Sequence, residues 1–151
     1  MPSYQTLDAI ADAYVPALAL LWLLLVLVAL LARRWQAAPM RVGLGAATLA
    51  IAYGLMWLDG VLGAWAAAGL DYSTHAAVAF ALVSVAGAAS RRLVLPAAIS
   101  LVLYAGLMLY QRYHSVADIV STLIVAGLPM ASIAHRWAAR IRVAPGPGRG
   151  T

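Results

Sequence analysis

His114 and Asp118 stand four residues apart in the stretch Tyr110-Gln-Arg-Tyr-His-Ser-Val-Ala-Asp118, an interruption in an otherwise apolar chain. On a helix that spacing puts the two side chains one turn apart on one face. A carboxylate so placed can accept a hydrogen bond from one imidazole nitrogen and fix the tautomer, leaving the other nitrogen free as nucleophile or base. A second imidazole, His75, lies about forty residues upstream in Asp71-Tyr-Ser-Thr-His75. It can protonate a departing alkoxide, and an imidazole titrates near neutrality, which suits both tasks. The expected chemistry is nucleophilic and acid–base group transfer at a His/His/Asp site.

These residues can act together only if the rest of the chain holds them at one place. Of the 151 residues, 65% are hydrophobic and 10% charged, against about 25% charged in soluble domains. Several apolar runs approach the roughly 20 residues that cross a bilayer. The sequence therefore predicts an all-α fold: a polytopic transmembrane helical bundle of about five spans, forming one domain over residues 1–142. Residues 143–151, rich in Pro and Gly, read as a disordered C-terminal tail. Residues 1–13 read as a short interfacial or frayed segment. Acidic Asp8 and Asp12 stand where a cleavable signal would carry positive charge, so the first span is expected to remain in the mature protein.

Span one is expected from about Tyr14 to Ala32, with Pro16 in its first turn. Span two starts near Val42 and, being rich in Gly and Ala, is expected in the interior of the bundle. Span three runs from near His75 to Ala89, span four from Leu93 to Tyr110, and span five from about Ser115 to Ala134. All ten basic residues are Arg, and there is no Lys or Glu. Arg33, Arg34, Arg41, Arg91, Arg92, Arg136, Arg140 and Arg142 fall on one side of this arrangement and only Arg112 on the other. The positive-inside rule then puts the N-terminus outside and the C-terminus in the cytoplasm. Tyr14, Trp65, Tyr72, Tyr110 and Tyr113 are expected at the outer interface, with Trp35 and Trp137 at the inner one. The net charge of +5 thus reads as topology signalling, and nucleic acid is not expected as a partner. The localisation expected is an integral membrane protein of a bacterial inner (plasma) membrane, its site facing outside.

The topology brings His75, His114, Asp118, Asp71 and Arg112 to that outer face. Each also has a plainer role: Asp71 as a cap or loop residue, Ser73 or Thr74 as the cap of the helix carrying His75, and Arg112 as a headgroup contact. Asp59 is expected as a polar contact within the bundle, and His135 as an interfacial residue. Absence of Cys excludes disulfides and thiolate metal sites.

Ser73-Thr-His75, followed by Ala-Ala-Val-Ala, resembles the P-S-G-H motif of the type 2 phosphatidic acid phosphatase superfamily. His114-Ser-Val-Ala-Asp118 resembles that superfamily's closing S-R-x5-H-x3-D motif. The resemblance covers roughly residues 55–135. It implies that His114 attacks phosphorus, Asp118 orients it and His75 is the general acid, with Arg112, Ser73 and Thr74 contacting substrate. The product of attack would be a phospho-histidine intermediate that passes to water or another acceptor. No cofactor is implied. The opening K-x6-R-P motif is missing, Tyr72 and Thr74 replace the proline and glycine of P-S-G-H, and the closing Arg would fall at Met108. The chain is similar in this to the sphingomyelin-synthase-like branch, whose phosphodiester substrates carry one negative charge and need fewer cations. The implied function is that of a membrane-embedded lipid phosphatase or phosphotransferase using a lipid phosphate or phospholipid.

Two other readings stand beside it. Two His and an Asp could ligate zinc with water in the fourth place, although nothing beyond residue type favours a metal. A non-catalytic bundle, serving as an inactive relative, assembly partner or transporter component, would use the polar residues for helix packing, and its small-residue faces would also suit a homo-oligomer.

Overall fold

The computed structural model describes residues 3–143, so the tail expected at 143–151 lies, from residue 144 onward, outside the described residues. Among the described residues the regular structure is entirely helical. Helix α1 spans Tyr4–Leu31 and opens with Ser3, whose hydroxyl accepts the N–H of Thr6. The segment expected to be frayed is therefore largely helix. Its Gln, Leu and Ala are good helix formers and the cap supplies the start. Pro16 consequently lies inside α1, not in its first turn.

Helix α2 spans Ala37–Leu62, with Pro39 in its first turn, where a missing N–H removes no intrahelical bond. Arg41, expected in the connector, is inside α2 and buried, its guanidinium donating to the carbonyl of Leu25. Gly63, at φ +60°, stops α2, and the single turn α3, Ala64–Ala67, follows. Helix α4 is Thr74–Ala89. A 3-10 turn at Arg91–Leu93 leads into α5, Val94–Tyr110. The last helix, α6, is Val116–Val143 and contains a π-helical stretch, Leu123–Gly127. Pro129 follows that stretch in the sequence. A proline ring clashes with the carbonyl four residues earlier, and a widened turn relieves the clash.

Four segments are long and apolar enough to cross a membrane: Tyr4–Leu31, Ala37–Leu62, Arg91–Tyr110 and Val116–Val143. Helix α4 has 16 residues, about 24 Å at 1.5 Å per residue, short of a hydrocarbon core of about 30 Å. It is the centre of the bundle and packs against α1, α2, α5 and α6. Ala77, Ala79, Ala81 and Val85 are wholly enclosed. The expectation of an interior span two is thus corrected: the innermost helix is α4. The glycines of α2 have a narrower use. A Cβ at Gly45 would sit 2.4 Å from the Trp22 ring of α1, and one at Gly43 would sit 3.1 Å from Trp137 of α6, so these glycines seat tryptophans. Around the outside Leu20, Leu95, Val102, Leu103 and Leu128 are each more than 60% exposed. A belt of that extent is unfavourable in water and suits lipid.

Charge is sorted along the bundle. The five Asp gather at the end that holds the start of α1 and the α5–α6 connector: Asp8 touches Tyr113, Asp59 touches Trp65, and Asp71 and Asp118 touch one another's segments. The opposite end holds Arg34, Arg41 and Arg142, with Arg142 donating to the carbonyl of Gly87.

Candidate functional site

The acidic end of the bundle is assembled by caps. Helix α5 closes with the N–H of Tyr113 on the carbonyl of Met108 (3.0 Å) and the N–H of Arg112 on that of Leu109 (3.1 Å). This is a Schellman pair, and it puts Arg112 at φ +58°, a position where glycine is the usual occupant. The turn carries the chain through His114 to Ser115, the N-cap of α6. His114 therefore precedes the helix, and the expected one-face, one-turn relation between His114 and Asp118 does not occur. Ser115 and Asp118 instead form a capping box. The Ser115 hydroxyl accepts from the N–H of Asp118 at 3.2 Å, and Asp118 Oδ2 accepts from the N–H of Ser115 at 2.7 Å. Asp118 Oδ1 accepts the N–H of Asp71 at 2.8 Å. Both oxygens accept backbone N–H groups, so Asp118 joins two connectors; it lies close enough for its charge to act on His114 but makes no hydrogen bond to the imidazole.

The carboxylate beside His114 is that of Asp71, with Oδ2 3.4 Å from Nδ1. This is an ion-pair distance, longer than a hydrogen bond. The His114 side chain is 11% exposed and that of Asp71 is 73% exposed, so the pairing is open to solvent on the carboxylate side. Asp71, not Asp118, is thus the carboxylate within ion-pair reach of the imidazole, and no hydrogen bond is formed to Nδ1.

Ser73 also departs from its expected substrate contact. It is fully buried, caps α4 by accepting the N–H of Ala76, and donates its own N–H to Thr122 Oγ1 at 3.0 Å. Tyr72, expected at an interface, is buried. Burial, reinforced by the charge of Asp59, pushes its phenol up to about 12, so it stays protonated and donates to the carbonyl of Ala52. Tyr14, also expected at an interface, stacks on Tyr104 of α5 with ring centroids 4.1 Å apart. Asp59 makes a polar contact of the kind expected, its Oδ1 accepting the N–H of Trp65.

His75 and His114 do open on one cavity. It measures ≈ 190 Å³ and is lined by Ala11, Asp12, His75, Tyr104, Tyr113 and His114. His75, exposed at the first turn of α4, also faces an adjoining cavity of ≈ 250 Å³ that includes Asp12, Tyr53 and Thr74. Arg112 is exposed and lines neither. The lining is therefore two imidazoles, phenols and one carboxylate, with no guanidinium.

Two contributors to the cavity escaped the sequence reading, and one buried amide lies apart from it. Asp12 and Asp8 belong to the first turns of α1, and Asp8 accepts from the Tyr113 hydroxyl, fixing one wall. Their four-residue spacing was a readable helical signal. Gln111 is 6% exposed, and neither its Oε1 nor its Nε2 has a partner among the described residues. Being a lone amide between two aromatic-flanked positions, it carried no motif. Among the described residues no three His or Asp side chains converge to hold a metal ion.

Chemically, the arrangement offers a nearly enclosed imidazole with a carboxylate on one nitrogen and an accessible imidazole across a small cavity. Two imidazoles facing one space are chemically able to serve as a nucleophile and a proton donor. Compared with family models, curated proteins and solved structures, the chain matches none.

Proposed function

We propose that this chain is a membrane-embedded lipid phosphotransferase or phosphatase, with the His75/His114 cavity as its active site. The observation that carries the reading is the convergence of two histidines, from separate connectors, on one cavity at the end of an apolar helical bundle. His114, with Asp71 at Nδ1, attacks phosphorus through Nε2. The bond from phosphorus to the leaving oxygen breaks, and His75 supplies the proton that oxygen takes. Water or a lipid hydroxyl then attacks the phospho-histidine, giving its proton back to His75, and His114 is regenerated.

The lining favours a phosphodiester. A dianionic monoester in transfer demands several cationic donors, whereas this cavity sets one carboxylate, Asp12, opposite two imidazoles. A diester carries a single charge and is the better match. By the distribution of Arg, the site faces the side away from the cytoplasm.

His114→Ala and His75→Ala, each reconstituted in liposomes and assayed for headgroup release, test the reading. Losses of about a hundredfold or more are expected for both, and the acid-labile phosphoryl adduct on His114 trapped from the parent chain should be absent in His114→Ala and diminished in His75→Ala, where the leaving oxygen lacks its proton donor. Unchanged turnover in both variants would sink it. A second reading, a non-catalytic bundle, is favoured by one observation: Asp118 and Ser73 are both committed to capping. Full retention of partner binding or assembly in those variants, with no turnover in the parent chain, would establish it.

A further inference from the structure

A groove of ≈ 230 Å³ runs between α1 and α5, lined by Ile10, Tyr14, Ser100, Leu103, Tyr104 and Leu107. Of its three hydroxyl-bearing residues, Tyr14 and Ser100 satisfy each other, Tyr14 Oη lying 2.9 Å from Ser100 Oγ, and the wall it presents is almost entirely carbon. Tyr104 belongs to this groove and to the His75/His114 cavity alike, and Ile10 adjoins Ala11 of that cavity. The shared partition is rigid, because Tyr104 is buried and stacked on Tyr14. From Leu107 to Ser100 the groove descends about 10 Å along α5, away from the acidic end and toward the middle of the apolar belt. Ile10 is 54% and Leu103 69% exposed, so the groove opens sideways, toward lipid.

We propose that this groove seats one acyl chain of the lipid whose phosphoryl group enters the His75/His114 cavity. The inference rests on the phosphotransfer reading for the identity of the headgroup, but it assigns a separate surface. A chain attached to a phosphate beside His114 needs an apolar path that begins at the cavity and leads into the membrane. The α1–α5 groove begins at Tyr104, is lined with carbon and runs in that direction. Lateral opening lets a chain slide in from the bilayer without threading past the headgroup. Tyr104 then stands at the junction of phosphate and chain, its ring against the first methylenes.

The test uses the full chain in liposomes containing a trace of phospholipid with a photoactivatable diazirine in one acyl chain, with adducts mapped by mass spectrometry. Labelling is expected to concentrate on Ile10, Leu103 and Leu107, above that on equally exposed belt residues such as Val61 and Leu128. Leu107→Trp, which fills the groove, should cut that labelling, and it should lower the ratio of kcat/KM for long-chain over short-chain phosphodiesters by about tenfold, the equivalent of roughly two methylenes of burial. Leu103→Ser, which removes contact without adding bulk, should act in the same direction and covers a failure of the tryptophan variant to fold. Uniform labelling around the belt, or long- and short-chain substrates affected equally, would overturn the proposal. Photolabelling requires no turnover, so a chain inactive in every assay yet labelled at the groove would refute the catalytic reading and leave the groove standing.

Discussion

Asp118 accepts the backbone N–H of Asp71 at 2.8 Å, and through that bond the segment before α4 is fixed to the first turn of α6. The carboxylate of Asp71 is thereby held beside His114. One acid positions the backbone of the other, so replacing the two should give different phenotypes.

Asp118→Asn is expected to lower thermal stability, because two backbone N–H groups lose a charged acceptor. Asp71→Asn should leave the melting temperature nearly unchanged, since its side chain is largely exposed, and should reduce turnover by about tenfold or less in view of solvent screening. Thermal unfolding in detergent, with activity normalised to folded protein, checks both. Equal loss of stability in the two variants would contradict the division of labour.

Arg112→Gly separates charge from backbone. Arg112 occupies a left-handed position in which glycine avoids a steric cost of about 1 kcal/mol, so the variant should be as stable as the parent or more so. Because the guanidinium lines neither cavity, turnover should stay within about threefold of the parent, less than the loss of one charge-assisted hydrogen bond. A much larger loss would return the guanidinium to the phosphate.

Gly45→Ala should destabilise the bundle by about 1–3 kcal/mol through overpacking, since the new methyl would meet the Trp22 ring. Gly54→Ala on the same helix, with nothing within 4 Å of the added carbon, should be neutral or stabilising by up to about 1 kcal/mol. Parallel detergent melts of the pair distinguish packing from helix propensity.

Gln111→Leu should stabilise the protein by about 1–3 kcal/mol if its buried amide is idle, because unpaired buried polar atoms carry a desolvation cost of that order. The same variant should leave turnover within about threefold of the parent, less than the loss of one hydrogen bond to a charged group, because Gln111 lines neither cavity. Greater stability with unchanged turnover would show the amide to be without catalytic use.

The helical class and the segregation of Arg were legible because both follow from composition and one-dimensional charge order. The internal hierarchy was not. Small residues in α2 drew attention to it, while α4 takes the centre through alanines, which carry no distinctive pattern. The approach of His75 to His114 could be expected from topology, but the pairing of acids could not. Ser115-Val-Ala-Asp118 fits two templates, a His-x-x-x-Asp face and a helix-starting capping box. The second prevails because the α5 cap carries the chain through a left-handed turn before a new helix can start. The first turns of α1 were misjudged for a related reason: Asp8 and Asp12 were weighed as polar residues and not as a helical pair.

The cavity draws its walls from both extremes of chain order. Asp12 and the Asp8 hook to Tyr113 come from α1, whereas His114 is set by the entry into α6. The cavity closes only when the capped start of α6 is packed beside α1 and α4, so a partly folded bundle lacking that contact has no enclosed space between the two imidazoles. His75 and His114 are therefore brought to one cavity only in the fully packed bundle.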